Sequence, residues 1–387
     1  RAMTDVPGLR RLTLADLDAP TLKRLVDHGE DLLVERKLQL PNPPRFGAAV
    51  ASMANTLGGW LLLGVGDDRT VHGWDKPERL DAQSHLAAVL RNEVDPLPPF
   101  VSDMRTVDGK EIAVLRVFES ADAPHIVRGT GAVYVRSSKG KEPVDDHATL
   151  LALAQRGDRA MEAARTRLRE TPVVYLALTP PDTPQGQIAV SRPEDLRATV
   201  RAAPLTVPPS LGQWPLTRGA AETLQEIVGQ LELADDFPGR GSRALEPHGR
   251  AIVARRTQPT SMDTQERAVF VADCAGVVAG QVSWGRLGSG GVMLNALLTD
   301  HIRPVLESVV AVLRRAEAYG RVALDLWVEV PSGTHIDEQL REPPRIGMHA
   351  AGELTIPADN DEVQALAEAW HREIQRSLGI VKYEDGY

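Results

Sequence analysis

The sequence has little cysteine, few aromatic residues and no long apolar run. Its 387 residues include one cysteine, Cys274, which excludes an internal disulfide and a zinc site built from several cysteines. Aromatic residues make up only 4% of the chain, so its cores must be built mostly from leucine, valine and alanine. No apolar segment approaches the roughly 20 residues that cross a bilayer, and the N-terminal residues lack the apolar centre of a signal peptide. We therefore expect a cytoplasmic protein with no membrane partner.

Positive charge is also in short supply. The 44 lysine and arginine residues are outnumbered by 53 acidic ones, which gives a formal net charge of −9. Affinity for nucleic acid comes largely from lysine and arginine contacts to phosphate. The overall charge thus argues against a chain that is basic all over its surface, but it permits a local basic patch.

The length of the chain favours two domains, because one hydrophobic core rarely serves so many residues. Helix and strand patterns both recur, which predicts an α+β fold: a mixed sheet flanked by helices, followed by a second α+β domain. We expect a first domain over 1–145, a connecting helix over 146–170, and a second domain of unknown function over 171–387.

Local patterns give the predicted elements. The clearest in the first domain are a helix that begins after Asp18, an alternating strand at 33–38, a helix that ends before Gly58, a buried strand "WLLLGV" and a hairpin at Asp108-Gly109. In the second domain we expect strands at 173–180, 249–256, 267–273, 276–284 and 322–330, a helix at 300–318 capped by Asp300, a last helix at 360–378, and a proline-rich loop at 203–215.

The glycine pair Gly58-Gly59 is a structural feature in this interpretation. A dinucleotide-binding glycine loop follows a strand and opens a helix, so that the N-terminus of the helix faces the phosphates. Here the order is reversed, because the pair follows a helix and precedes a strand. Gly58 is therefore expected to end the helix and Gly59 to permit close packing. No phosphate-loop motif supports a nucleotide cofactor.

Four charged residues form the candidate catalytic group: Glu30, Glu35, Lys37 and Asp67. If the two strands that carry them are neighbours, their carboxylates and the lysine converge. Carboxylate clusters hold Mg²⁺ or Mn²⁺ in phosphodiester chemistry, and a lysine can offset charge on the phosphate. The alternative stays open: a solvent-exposed strand face, followed by aspartates, including Asp68, in an ordinary turn.

A second group is basic. Arg128, Arg136, Lys139 and Lys141 form the best candidate patch for phosphate contacts in the chain. A solvated strand end is the alternative interpretation. Few aromatic residues lie near these cations, so stacking of single-stranded bases is not supported.

Several short motifs occur in a fixed order along the first domain. They are Glu30, the triplet Glu35-Arg36-Lys37, "MANTLGG" at 53–59, "WLLLGVGDD" at 60–68, "TVHGW" at 70–74, Pro124-His125 and Tyr134-Val135-Arg136. In this order and spacing, residues 20–145 resemble the Schlafen-type AlbA-like domain, formerly called a divergent AAA domain. Nothing in 171–387 resembles a family in the same way.

The resemblance implies a mixed sheet flanked by helices and a role related to nucleic acid. In animal Schlafens, acids matching Glu30, Glu35 and a strand-end aspartate form a divalent-metal endonuclease site that acts on tRNA and rRNA. Bacterial members are usually described as DNA-binding or regulatory. This sequence departs from the pattern twice: Arg36 replaces an aromatic residue, and Gly66 stands where the third acid is expected, which leaves Asp67 one position late.

Three functions follow as hypotheses. The first is a bacterial nucleic-acid-binding regulatory protein for DNA or RNA, with phosphate contacts from Arg36, Lys37, Arg128, Arg136, Lys139 and Lys141. The second is an endoribonuclease with Mg²⁺ or Mn²⁺ held by Glu30, Glu35 and Asp67, assisted by Lys37. The third is an interaction protein that senses a ligand or partner. A homo-oligomer is left open.

Overall fold

The computed structural model describes residues 6–75, 81–138, 140–170, 196–207, 226, 242–248, 251–259, 264–284, 297–330 and 346–377. Two compact units divide between Glu162 and Ala163. The predicted α+β class is confirmed, since each unit combines helices with a sheet. Among the helices in these ranges, none is long and apolar enough to cross a membrane.

The first unit contains most of the predicted elements. Its helices are α1 (Val6–Arg11), α2 (Ala19–Asp27), α3 (Pro43–Ala54), α4 (Ala82–Glu93), α5 (His147–Ala154) and α6 (Arg156–Glu170), the last of which continues into the second unit. Its strands are β1 (Val34–Lys37), β2 (Gly59–Leu63), β3 (Val94–Asp95), β4 (Phe100–Val107), β5 (Lys110–Val117), β6 (Ile126–Val127), β7 (Ala132–Ser137) and β8 (Gly140–Pro143). Two helices, α5 and α6, thus occupy the range where the sequence predicts one connecting helix.

A four-stranded mixed sheet forms the centre of the first unit, in the order β1-β2-β5-β4. β1 and β2 are parallel neighbours, with Glu35 opposite Leu61, as the candidate site requires. Every residue of β2 is buried. Leu61 packs into a core with α3 and α4, while Trp60 and Leu62 pack into a second core on the other face with α2. The apolar run is therefore a central strand that is covered on both faces.

A second, smaller sheet in this unit has the order β3-β6-β7-β8 and packs against α3. β7 contributes Arg136, and its neighbour β8 contributes Lys141 directly opposite that residue. The predicted basic strand end therefore belongs to a different sheet from β1. α3 connects the two sheets.

The second unit is built on a seven-stranded antiparallel sheet, whose hydrophobic core lies on the face covered by the last two described helices. Its order is β10-β11-β12-β13-β9-β14-β15. The strands are β9 (Leu196–Pro204), β10 (Ser242–His248), β11 (Ala251–Pro259), β12 (Thr264–Asp273), β13 (Val278–Trp284), β14 (Gly320–Val330) and β15 (Ile346–Ile356). A π-helical turn, Leu297–Ile302, leads into α7 (Arg303–Arg315), and α8 (Asn360–Ser377) is the last described helix.

Alternation along the strands separates the two faces of this sheet. Val200, Phe270 and Leu324 point into the core beneath the helices. On the opposite face, Arg201 and Asp325 form a buried bidentate ion pair, with N–O distances of 2.8 and 2.6 Å. The chain therefore buries one charged pair on the face away from the main core.

The sequence predicts part of this second unit. The predicted strands at 249–256, 267–273, 276–284 and 322–330 correspond to β11–β14, and the predicted last helix corresponds to α8. The predicted helix at 300–318 is shorter: α7 begins at Arg303, after the π-helical turn, and Asp300 does not cap it. β9, β10 and β15 are not predicted, and the predicted strand at 173–180 lies outside the described residues.

Candidate functional site

The candidate site is centred on β1, whose four residues alternate between two environments. Val34 and Arg36 are buried, whereas Glu35 and Lys37 are partly exposed on the other side. The predicted sharing of one strand face by Glu35 and Lys37 is therefore observed. A strand of this kind places two charged side chains side by side, about one strand repeat apart.

Glu35 is held by two cations at once. Its Oε1 lies 2.6 Å from Nζ of Lys37, and its Oε2 lies 2.5 Å from Nη1 of Arg136. The Arg136 side chain is only 2% exposed, and its remaining donors bind the carbonyl oxygens of Asp31 and Val34 at 2.9 Å each. These contacts join β1 to β7 through one buried ion pair.

These contacts also set the ionisation of Glu35. Burial raises the pKa of its carboxyl, but the hydrogen bond from Lys37 and the charges of Arg136 and Lys37 together outweigh burial and hold this pKa below its ordinary value. Glu35 is consequently an anion whose two oxygens are both engaged by positive groups.

Arg36 occupies the opposite side of β1, in the interior. It is 3% exposed, and its Nη1 donates to the carbonyl oxygens of Val26 and His28 at 3.2 and 2.7 Å. Its backbone N–H donates to Oε1 of Glu30 at 2.8 Å. The prediction of phosphate contacts by Arg36 and Arg136 is accordingly corrected, since both guanidinium groups are buried and bind groups of the domain itself. Lys139 lies outside the described residues.

The third predicted acid lies in a turn. β2 ends at Leu63, and Arg69 donates its backbone N–H to the carbonyl of Gly66 at 2.9 Å, so Asp67 sits within a tight reversal of the chain and is exposed. Its neighbour Asp68 accepts hydrogen bonds from the backbone and hydroxyl of Thr70. Asp67, one position later than the resemblance expects, therefore lies beyond the strand, in the turn that begins at Gly66.

The three acids do not fit a divalent cation as they stand. Both oxygens of Glu35 bind cationic side chains, and Oε1 of Glu30 accepts a backbone N–H. Asp67 is exposed in the turn that follows β2. Within the described ranges, no group of three histidine, cysteine, aspartate or glutamate side chains is arranged to hold a metal ion. The predicted ligand set of Glu30, Glu35 and Asp67 is thus not assembled.

The structure does assemble a cluster of cations: Lys37, Arg45 and Lys141, called the cation cluster below. Nζ of Lys141 donates to the carbonyl oxygen of Arg45 at 3.3 Å, at the exposed start of α3. Partial desolvation lowers the pKa of the Lys141 ammonium; Glu35 opposes this, and the positive charges of Lys37, Arg45 and Arg136 lower it further. Lys37 and Arg45 are therefore close enough to Lys141 for their charges to act on it.

Arg128 lies beside the same end of α3. Its guanidinium is 3.1 Å from Oδ1 of Asp95, and both side chains are more than half exposed. A Cβ on the adjacent Gly129 would lie 3.9 Å from Cγ of Pro44, which places this turn next to the residue that precedes Arg45. Of the predicted phosphate contacts, Lys37, Lys141 and Arg128 thus remain on one side of the domain.

Arg45 is the cation that the sequence interpretation misses. It follows Asn42-Pro43-Pro44, and Asn42 caps α3 by accepting from the backbone N–H of Arg45 at 3.2 Å. This cap-and-proline pattern is typical of a helix start at the surface. The signal for an exposed arginine was therefore present in the sequence.

The strongest sequence motif, Asn55-Thr56 with Gly58-Gly59, builds the frame around these charges. Nδ2 of Asn55 donates to the carbonyls of His125 and Tyr134, and its Oδ1 accepts from the backbone of His125. The Thr56 hydroxyl accepts from the backbone N–H of Arg136 at 2.8 Å. This short segment therefore fixes both the Pro124-His125 loop and the strand that carries Arg136.

The glycines and the histidine of these motifs are structural as well. Gly58 has φ +69°, and a Cβ there would lie 2.5 Å from the carbonyl oxygen of Val117. His125 is fully buried, its Nδ1 lies 2.7 Å from the carbonyl oxygen of Pro96, and burial lowers the pKa of its imidazole. Its observed surroundings are those of a neutral packing residue.

Comparison with known proteins covers the same region. Residues 30–145 match the model of the family described as "Schlafen, AlbA_2". The chain is similar to the solution NMR structure of the N-terminal domain of a RecG-related protein from Nitrosomonas europaea, at 21% identity and a TM-score of 0.25, covering 32% of this chain and 91% of that one. It is also similar to the crystal structure of the DIP2311 protein from Corynebacterium diphtheriae, at 16% identity and a TM-score of 0.26, covering 56% of this chain and 38% of that one.

A search of the curated proteins found no match. The family match begins at the first acid of the motif series and ends just beyond β8. It includes the ion-paired Glu35 and the frame built by Asn55 and Thr56. Residues 30–145 therefore match the Schlafen AlbA_2 family, whose domain is nucleic-acid-related, and the resemblance seen in the sequence is confirmed for this part of the chain.

Proposed function

We propose that the first unit binds nucleic acid through the cation cluster Lys37, Arg45 and Lys141, and that the protein is regulatory. The observation that carries this proposal is the contact of Lys141 Nζ with the carbonyl oxygen of Arg45, 3.3 Å away at the exposed start of α3, with Lys37 near enough for its charge to act on Lys141. The nearest acid, Glu35, is already occupied by Arg136 and Lys37. Neither Arg45 nor Lys141 forms a salt bridge with another described residue, so phosphate oxygens would supply negative charge to both.

Two further observations support binding through this cluster, and a third concerns where the protein is found. The cluster lies in the part of the chain that matches the nucleic-acid-related family. Arg128, on the neighbouring turn, would extend the contact along a phosphate backbone. The single cysteine of the chain fits the reducing cytoplasm of a bacterium, which is where we place the protein.

The test is the salt dependence of binding to short DNA and RNA duplexes and single strands, measured by fluorescence anisotropy between about 50 and about 200 mM salt. Wild type is compared with the double variant Arg45→Ala, Lys141→Ala. Each lost phosphate contact lowers the slope of log K against log salt by about 0.9 on duplex DNA, so the double variant should lower it by about 2.

Lys23→Ala is the matched control. Lys23 is an exposed cation of the same unit, but it is paired with Asp27 and Asp108 at 3.6 and 3.3 Å, away from α3. It should leave both affinity and slope unchanged. Binding that ignores salt, or a double variant with the wild-type slope, would contradict the proposed interface.

A second candidate function is a metal-dependent endoribonuclease acting on tRNA or rRNA. One observation favours it: Nζ of Lys37 lies between two acids, 2.6 Å from Glu35 and 3.8 Å from Glu30. We place it below binding, because Glu35 would first have to release its two cationic partners. Incubation of tRNA with Mn²⁺ decides the matter, with wild type beside Asp67→Ala, which removes an exposed turn carboxylate and leaves the Glu35 ion pair intact. Cleavage by wild type alone would establish the nuclease, and equal background in both would end that candidate.

A further inference from the structure

The last strand of the second-unit sheet, β15 (Ile346–Ile356), is an edge of the sheet that the described strands form. Over the described residues its only strand neighbour is β14, with an unbroken register across all 11 residues. It contains no proline, lysine or arginine, and no bulge interrupts it. Exposed edges of this length are normally shortened, bent or charged, because their free backbone groups otherwise pair with another strand.

We propose that β15 pairs antiparallel with β15 of a second copy of this chain, so that two sheets join about a two-fold axis. The strand has the same character in both directions. With the axis at Ala351, His349 lies opposite Glu353 of the other copy, and Met348 lies opposite Leu354. Each of these two contacts occurs twice, once on either side of the axis, as a symmetric interface requires.

The faces of the two strands also agree in this register. Opposed residues are an even number of positions apart, so side chains that point to one face in the first copy meet side chains on the same face in the second. Met348 and Leu354 are buried beneath the helices, whereas His349 and Glu353 are exposed on the other face. Apolar residues thus meet apolar residues, and a basic residue meets an acidic one.

Charge complementarity argues for a second copy over an unrelated peptide. Glu353 accepts from Arg321 at 2.8 Å and its side chain is 43% exposed. The His349 side chain is 44% exposed, with Nε2 3.8 Å from Oδ2 of Asp325. Trp327, which lies 4.8 Å from the His349 ring and is 41% exposed, adds apolar surface beside the join. Each copy of β15 therefore carries both the basic residue and the acidic residue that the pairing needs.

One helix packs against the core face of β15. Gly352 faces α8, where a Cβ would lie 2.5 Å from Cδ1 of Leu366, so α8 packs directly over β15. The axis brings the two α8 helices side by side.

The test is the oligomeric state of the full chain, by sedimentation velocity and native mass spectrometry over a concentration series. Wild type should form dimers. His349→Glu sets two pairs of like charge against each other and should weaken the dimer about tenfold. Glu307→Lys, an exposed charge change on α7, is the control and should leave the dimer unchanged.

A mixing experiment separates this register from a general loss of stability. When His349→Glu and Glu353→Lys chains are combined, one of the two contacts between positions 349 and 353 pairs the introduced carboxylate with the introduced lysine. The other contact retains the native histidine and glutamate. Mixed dimers should therefore form more tightly than dimers of either variant alone. A monomer at every concentration, or dimers unaffected by His349→Glu, would overturn the proposal, as would mixtures with no preference for mixed dimers.

Discussion

Replacing Glu35 with glutamine tests whether the buried ion pair holds β1 to β7. Glu35→Gln keeps the shape of the side chain and one acceptor oxygen, but it leaves Arg136, which is 2% exposed, without its carboxylate. A hydrogen bond to a charged group contributes about 1.5–3 kcal/mol, and removing one member of a buried pair costs about 3–5 kcal/mol. We therefore expect the free energy of unfolding of this region to fall by about 1.5–3 kcal/mol in Glu35→Gln and by about 3–5 kcal/mol in Glu35→Ala.

The pH dependence of this effect has a definite sign. The carboxyl of Glu35 has a lower pKa in the folded protein than the roughly 4.3 of an unfolded chain. The unfolded state therefore binds the proton more readily, and the ion pair stabilises the fold fully above that value. The difference between wild type and Glu35→Gln should be constant near neutral pH and should shrink as pH falls below about 4.3 towards the folded pKa.

Hydrogen exchange measured on the full chain gives the assay, because it reports β1 and β7 separately from the second unit. The slow backbone amides of these two strands should exchange faster in Glu35→Gln by the factor that corresponds to the loss above. Arg128→Ala is the control: its pair with Asp95 is exposed, so the cost is about 0–1 kcal/mol. If the amides of β1 and β7 are protected from exchange as strongly in Glu35→Gln as in Arg128→Ala, the Glu35–Arg136 pair does not join the strands.

Two other predictions concern the frame and the second unit. Gly58→Ala should destabilise the first unit by about 2–4 kcal/mol in urea unfolding, because at φ +69° the added Cβ would clash with neighbouring backbone atoms. Gly109→Ala is the control: at φ +78° its added Cβ would have no neighbour within 4 Å, so it should cost only about 1 kcal/mol. Equal costs for the two variants would refute the steric argument. Asp325→Ala should lower the free energy of unfolding of the second unit by about 3–5 kcal/mol, because it leaves the buried Arg201 without its carboxylate. Glu307→Ala, which removes an exposed helical pair, should lower it by only about 0.3–0.5 kcal/mol. Similar urea midpoints for these two variants would contradict the importance of the buried pair.

The sequence predicts the local structure around the site because the signals there are local. Alternation at 33–38 predicts a strand with Glu35 and Lys37 on one face, and this is observed. The Asp108-Gly109 pair predicts the hairpin between β4 and β5, and both residues have positive φ. In each case the deciding interactions lie within a few residues of one another.

The burial of Arg136 could not be predicted in the same way. Its partner Glu35 is 101 residues away and in another sheet, and the sequence around β7 reads as an ordinary basic strand end. β15 was missed for a different reason: its centre, His349 to Gly352, has no β-branched or aromatic residue, so its strand propensity is low. Its 11 ladder partners on β14 determine the strand instead.

The positions that carry the family resemblance and those that carry the proposed binding are largely different. Asn55, Thr56 and Gly58 are buried or packed against backbone and hold two sheets together. Arg45 and Lys141 project from the edges of that frame and belong to none of the motifs. Substitution at the motif positions should therefore disturb folding whatever the ligand is, whereas the ligand itself should depend on the cations around the start of α3. Shared motifs accordingly predict the fold of this domain more securely than its ligand.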